Sequence, residues 1–446
     1  MYLQTALNTN WFIKKSIIFF YIYMIIEGIL RKWLLPDFQT QIYFLKDFFL
    51  IFIYSLALKQ KIFFKNKISK LIIIFAIFFS IVGFLGHEWN NIGLLSYLMG
   101  IRSYFLYLPL TILVMNLFTI ADIIKFFKVN LFFIIPYIIL TLLQNFSETN
   151  SIINSGFNGI VNHHGRPNGY FLYTTQNVYY LMFLVVAFFS ILINIKNFTI
   201  NKILIYSLSF FSVIMLIIFL KSRYAMFLFF IIAFVSFFFI FLKRKKKIYK
   251  IIMAIIVSVI IPLIIFINFK IFNKDFMYIF NRINTDAYLE MNLLKKNLEN
   301  EKLFYFCVKH SSVCRVLNDL YFMTAIQEAS ITGKGIGSGT STVAVLNNKT
   351  KFSLGEIENT RVIMELGYLF GTFFVFFKFF VCLYFLFLFL IKFRDLLVAG
   401  PLLIFVVINL LSGAITYSVA FTSFIFWFSL GLLLCFFNNH FNFSKK

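Results

Sequence analysis

Runs of about 20 predominantly apolar residues recur along most of this chain, each long enough for a helix to cross about 30 Å of hydrocarbon. In order they predict twelve spans, over residues 13–30, 42–58, 71–85, 98–118, 129–143, 178–195, 203–220, 224–242, 251–269, 362–391, 396–412 and 415–437. Composition agrees. With 61% hydrophobic residues, 13% charged residues and a mean hydropathy of +0.89, too little polar surface exists to cover a soluble globule. The expected fold class is an all-α integral membrane protein. The 67 phenylalanines, accompanied by abundant Ile, Lys and Asn, read as compositional bias rather than as an aromatic binding surface.

The net charge of +24 raises nucleic acid as a partner, and its placement argues against that. Basic residues gather in alternate loops, around Lys14, Lys59 to Lys70, Lys125 to Lys128, Lys196 to Lys202, Lys243 to Lys250 and Lys392 to Arg394. The intervening short loops carry mainly Arg31, Lys32, Arg166, Lys221 and Arg223. This positive-inside bias puts both termini in the cytoplasm, and the KRKKK run from Lys243 is an orientation signal. Trp11, Trp33 and Trp89 fall at expected interfaces. The first run has no small-residue cleavage site and reads as a retained helix rather than a signal peptide.

That topology divides the chain into spans one to nine (residues 1–269), one large outer loop (270–361), and spans ten to twelve with a short tail (362–446). In a bacterium the outer loop lies in the periplasm, and the protein in the inner membrane. The loop holds more than half of the 17 acidic residues, and Cys307 and Cys314, whose spacing in an oxidising compartment suits either a local disulfide or two free thiols. Residues 313–330 read as a helix ended by Gly333. The following glycines, in GKGIGSG, lack the Lys-Ser/Thr of a nucleotide-phosphate loop and the preceding strand of a dinucleotide fold. They leave a plain turn or an anion-binding backbone nest.

Arginines at the outer ends of spans form the more informative set: Arg102 in GIRSYF, Arg166 in HHGRPNGYF, Arg223 in KSRYA and Arg361 in ENTR. Singly, each could snorkel to lipid phosphate. Together they suit a polyprenyl diphosphate, whose oxygens a guanidinium fork grips in pairs. Transfer of a glycan from such a carrier needs charge stabilisation on the departing diphosphate, without an obligatory metal or cofactor, and a group to orient or deprotonate the acceptor hydroxyl. Glu358 is the first candidate for that group and Glu356 the second, with His163, His164 and Lys221 as secondary candidates.

The ordered set GIR, RPNGYF, KSRYAMF, GKGIGSG and ENTRVIMELGYLFG resembles the O-antigen polymerase and O-antigen ligase superfamily, over most of residues 100–371. The resemblance implies a fold related to lipid-dependent membrane glycosyltransferases and an undecaprenyl-diphosphate-linked oligosaccharide as donor. It also implies outer arginines on the diphosphate, with a chain-length regulator and a flippase as further partners. Where ligases carry a His-Asn pair this chain has Glu356 and Ile357, and the Arg-to-Gly spacing of polymerases is also missing, since Arg166 leads to Asn177 and Arg361 to Thr372. Polymerase is the favoured expectation, ligase the alternative and a lipid-linked oligosaccharide transporter the second alternative.

Two further features stand inside the spans. Glu27 and Arg31 are spaced for an ion pair on one helix face. Lys378 lies deep in the tenth run, where an ammonium needs a protein interior or a water-filled cavity. That run is long for one span, and Gly367 with Gly371 predicts a tilted helix or close packing at its outer end.

Overall fold

The computed structural model describes residues 2–89, 93–148, 150–156, 166–195, 200–220, 222–243, 329–340, 358–412 and 419–441. Among these residues the protein is helical throughout, with no strand. The principal helices are α1 (Tyr2–Ile29), α2 (Gln39–Lys59), α3 (Lys67–Trp89), α4 (Leu94–Phe105), α5 (Leu108–Leu117), α6 (Ile120–Phe132) and α7 (Ile134–Phe146). They continue with α8 (Thr174–Asn194), α9 (Ile200–Phe219), α10 (Arg223–Lys243), α11 (Glu358–Ile391), α12 (Gly400–Ser412) and α13 (Ala420–Phe441).

Nine segments among the described residues are long and apolar enough to cross a membrane, α4 with α5 and α6 with α7 each counting as one. Every expected run falls on a helix or helix pair except 251–269, which lies outside the described residues, as do Cys307 and Cys314 and most of the expected outer loop. α1 is not among the nine; its apolar stretch is interrupted by Lys14, Lys15 and Glu27.

Two spans are broken where proline dictates. Pro109 and Pro136 cannot donate to the carbonyl four residues back and their rings press on it. Those carbonyls belong to Phe105 and Phe132, where α4 and α6 end. The start of α6 is fixed by a capping box between Thr119 and Asp122, and Asp122 also pairs with Lys14 of α1.

The core is built on α8 and α13, whose most apolar stretches are entirely buried. α8 packs against α6, α9, α10, α12 and α13, and α13 lies along α5. Around them, phenylalanines exposed on α3, α10 and the distal part of α11 present an apolar perimeter, the surface a bilayer would cover.

The largest departure from expectation is in α11. Gly367 adopts φ 85° and ψ 163°, a combination open to glycine alone, and reverses the chain. Residues 358–366 and 368–391 therefore form a tight hairpin rather than one tilted helix. A Cβ on Gly371 would stand 2.4 Å from the Cα of Ile363, so the close packing foreseen at these glycines is of the hairpin upon itself. Residues 358–361, expected in the outer loop, are instead buried within the bundle.

Candidate functional site

The end of the bundle at which α1 finishes carries two neighbouring polar clusters, separated by α4. Positions 102 and 104 of a helix point about 200° apart, so Arg102 and Tyr104 serve opposite faces.

On one face, α1 continues into a π-helical turn, Leu30–Leu34, that carries Arg31 and Lys32, both buried. The expected pair forms, with Arg31 Nη1 donating to Glu27 Oε1 at 2.9 Å. Lys46 of α2 donates to the same oxygen at 2.7 Å. At the next residue of α2, Arg102 grips Asp47 with the two nitrogens of one edge, Nε to Oδ2 at 2.6 Å and Nη2 to Oδ1 at 3.2 Å, and donates from Nη1 to the Tyr43 hydroxyl at 2.7 Å. The Tyr43 ring is the hub: the cations of Arg31, Lys46 and Arg102 lie 5.0, 3.8 and 4.5 Å from its centroid. With Lys32, next to Arg31 in the chain, four cations stand beside two carboxylates among the described residues, Glu27 and Asp47.

The segment from Arg166 to Phe171 is pressed onto this cluster. Lys32 Nζ donates to the Gly169 carbonyl at 2.8 Å, and a Cβ on Gly28 would stand 2.0 Å from the Tyr170 carbonyl oxygen. Gln144 clasps Gly169 from the other side, accepting from its N–H at 2.7 Å and donating to its carbonyl at 3.2 Å. Burial with no neighbouring carboxylate pushes the Lys32 ammonium down to about 7.

On the opposite face of α4 lies the glycine segment. Gly333, Gly335 and Gly337 all have positive φ, which turns successive N–H groups to one side. That is the geometry of a nest, and its anion is part of the chain. Gly337 and Gly339 donate their N–H groups to the two carboxylate oxygens of Glu365, each at 2.9 Å, and the Tyr104 hydroxyl donates to Oε2. Arg361, one turn earlier, stands 3.7 Å from Oε1. Lys334 and Gly335 donate to the Met364 and Glu365 carbonyls, closing the end of the 358–366 helix, while His87 Nε2 donates to the Ile336 carbonyl at 2.8 Å. Glu365 is wholly buried, and it went unnoticed in the sequence inside an apolar run; the signal available was its place one turn after Arg361 and two residues before Gly367.

Of the sequence candidates, Arg102 joins the first cluster and Arg361 the second, on the two faces of α4. Glu358 sits at the mouth of the hairpin, buried, in a 3.1 Å ion pair with Lys378, which also donates to Asn359. Lys378 does line a cavity, of about 280 Å³, otherwise apolar and walled by residues such as Phe75, Phe377, Tyr384 and Trp427. Arg223 begins α10. Glu356, His163, His164 and Lys221 lie outside the described residues. Among the described residues no cluster of His, Cys, Asp or Glu could hold a metal ion.

No family model, curated protein or solved structure matches this chain.

Proposed function

We propose that this protein is a metal-independent glycosyltransferase of the outer membrane face. In this reading it polymerises oligosaccharide repeat units carried on undecaprenyl diphosphate, in the manner of O-antigen polymerases. The observation that carries the reading is the cationic surplus at one end of the bundle. Among the described residues Arg31 and Lys46 pair with Glu27, Arg102 pairs with Asp47 and Lys32 meets the Gly169 carbonyl, so four cations stand beside two carboxylates at the rim of an apolar helix bundle. Burying charge without a counter-charge is costly, so a surplus kept at that depth supports an external anion as partner. A lipid diphosphate presents its anion at that level.

In this mechanism the acceptor hydroxyl attacks the anomeric carbon while the diphosphate departs with the bonding electrons. Arg102 and Arg166, with Arg223 as a further candidate, stabilise the charge that gathers on it, whereas Arg361 is turned to the Glu365 carboxylate on the opposite face of α4. The acceptor must also lose its proton. Glu358 is neutralised by Lys378 and Glu365 is fully engaged by the glycine nest, so Glu356 becomes the better candidate base of the original pair. A second reading, transport of the lipid-linked oligosaccharide, draws on the apolar cavity beside Lys378.

The test is a surface-glycan gel and an extraction of lipid-linked intermediates from a strain lacking the chain. A single repeat unit in place of a ladder supports the polymerase. Long polymer stranded on its lipid carrier points to a ligase. Loss of surface glycan with the lipid-linked unit trapped on the inner face points to transport, and an unchanged glycan sinks all three readings.

A further inference from the structure

The turn from Arg166 to Phe171 is held from all sides, yet it presents polar groups that bond nothing. Gly169, at φ 57°, has no room for a side chain, since a Cβ would stand 2.6 Å from both Asn177 Oδ1 and the Tyr137 ring. Asn177 Nδ2 donates to the Pro167 carbonyl at 3.0 Å and Phe171 N donates to the Asn168 carbonyl at 3.1 Å. Within this rigid turn the Asn168 side chain is 1% exposed, and among the described residues neither its Oδ1 nor its Nδ2 has a hydrogen-bond partner. The buried Nε of Arg166, two residues earlier, also lacks one. A buried amide with no partner forfeits its hydration without recompense, so an ordered turn that leaves both atoms unpaired is built for something that supplies them.

Lys32 meets the same turn. It is 6% exposed, donates only to the Gly169 carbonyl, and leans on the Trp33 ring, 4.2 Å from its centroid. An ammonium has three donors, and this one has used a single donor on a carbonyl that Gln144 already occupies. Among the described residues no carboxylate pairs with it. The Glu27 and Asp47 carboxylates are both engaged by Arg31, Lys46 and Arg102.

We infer that Lys32, Asn168 and Arg166 form a phosphate-binding subsite in which the ammonium and guanidinium neutralise a phosphate or diphosphate group and the Asn168 amide fixes its orientation. The neighbouring cluster contributes further positive potential, since among the described residues its cations outnumber its acids. A group carrying more than one negative charge, with oxygens on several sides, matches that field better than a single carboxylate. The inference deepens the proposed function by naming where a lipid-linked donor's headgroup is held; for a free phosphate compound it stands alone.

The experiment uses the full chain in phosphatidylcholine nanodiscs with a chelator present, titrated calorimetrically with inorganic pyrophosphate and, separately, with farnesyl diphosphate. Binding of both with similar affinity identifies a site for free phosphate groups, and a strong preference for the prenylated probe identifies a lipid headgroup; either supports the subsite. Lys32→Met and Asn168→Leu should each weaken binding about 10- to 100-fold, the loss of one charge-assisted hydrogen bond, while Lys59→Met at the far end of α2 leaves it unchanged. Thermal unfolding of each variant shows whether it is folded; Arg166→Gln, at a less buried position, gives the same reading if either of the others is not. Absence of binding by both probes, or binding untouched in folded variants, overturns the subsite. A normal glycan ladder in the deletion strain alongside intact pyrophosphate binding would instead sink the polymerase and leave the subsite standing.

Discussion

Tyr104 donates its hydroxyl proton to the Glu365 carboxylate across 261 positions of sequence, tying α4 to the hairpin of α11. The same carboxylate holds the N–H groups of Gly337 and Gly339, so three distant segments converge on one buried anion. Glu365→Ala should cost about 3–5 kcal/mol, since it leaves those donors buried without their acceptor and removes the carboxylate beside Arg361. Tyr104→Phe, which removes one donor, should cost about 1–3 kcal/mol. Thermal unfolding in detergent, with limited proteolysis at Lys334 as the local probe, measures both. Equal small losses from the two variants would mean that the carboxylate does not organise the glycine segment.

Glu358 and Lys378 would be about 30 Å apart on a continuous helix, yet their charged atoms are 3.1 Å apart. Breaking a buried pair from one side is expensive, and replacing both partners with apolar groups is often neutral. Lys378→Met alone should therefore destabilise by about 3–5 kcal/mol, and Glu358→Leu with Lys378→Met should recover most of it. The double variant also decides the role of Glu358. A normal glycan ladder from a stable double variant makes the carboxylate structural; a stable protein with no ladder returns it to the reaction.

Much of the fold was legible because its causes are local. Pro109 and Pro136 break their spans where the ring meets the carbonyl four residues back, and Glu27 and Arg31 pair because they are one turn apart. The site was less legible because its causes are distant. Lys46 reaches Glu27 only once α1 and α2 are packed, and nothing near Glu365 announces that its partners lie 26 and 28 positions upstream. Of the two readings left open for the glycine segment, a plain turn and an anion nest, the structure shows the nest, with a side chain of this protein as its anion. The reversal at Gly367 was hidden by the apolar residues around it, which are as compatible with a hairpin as with one long span.

Gly367 gives the sharpest single-residue test. Its φ of 85° is strained for any other residue, and a Cβ there would stand 2.0 Å from the Ile331 carbonyl oxygen. Gly367→Ala should cost about 2–4 kcal/mol, combining left-handed strain with a backbone clash, and should free Lys378 from Glu358. Thermal unfolding reads the first effect, and increased reaction of Lys378 with an amine reagent reads the second. A stable variant with a shielded lysine would mean that the chain runs on through position 367.

Arg102 is held in a two-nitrogen grip on the Asp47 carboxylate, which lysine cannot reproduce. If the cluster serves the donor diphosphate, Arg102→Lys should shorten or abolish the ladder, with turnover down about 10- to 1000-fold, while Asp47→Asn, which frees the guanidinium, should leave more activity than Arg102→Lys. Quantifying lipid-linked single units against polymer in each strain orders the two. The reverse order would make the Asp47 carboxylate, rather than the cation, the functional partner.

Lys32 lies between α1 and α2, and burial pushes its ammonium down to about 7 from the ordinary value of 10.5. Between those values the unfolded chain binds the proton more often than the folded one, so stability rises with pH through that window, by at most about 1.4 kcal/mol per unit. Below about 7 the cost of the buried charge is fully present, and above 10.5 it is gone. Lys32→Met should flatten this slope and should stabilise the ligand-free protein most at neutral and lower pH. Pyrophosphate favours the charged form, so it should stabilise the wild type most below about 7 and progressively less above it. Unfolding temperatures at pH 6, 7.5 and 9, with and without pyrophosphate, should therefore converge for Lys32→Met and diverge for the wild type; parallel curves for the two proteins would mean that Lys32 neither titrates here nor meets the anion.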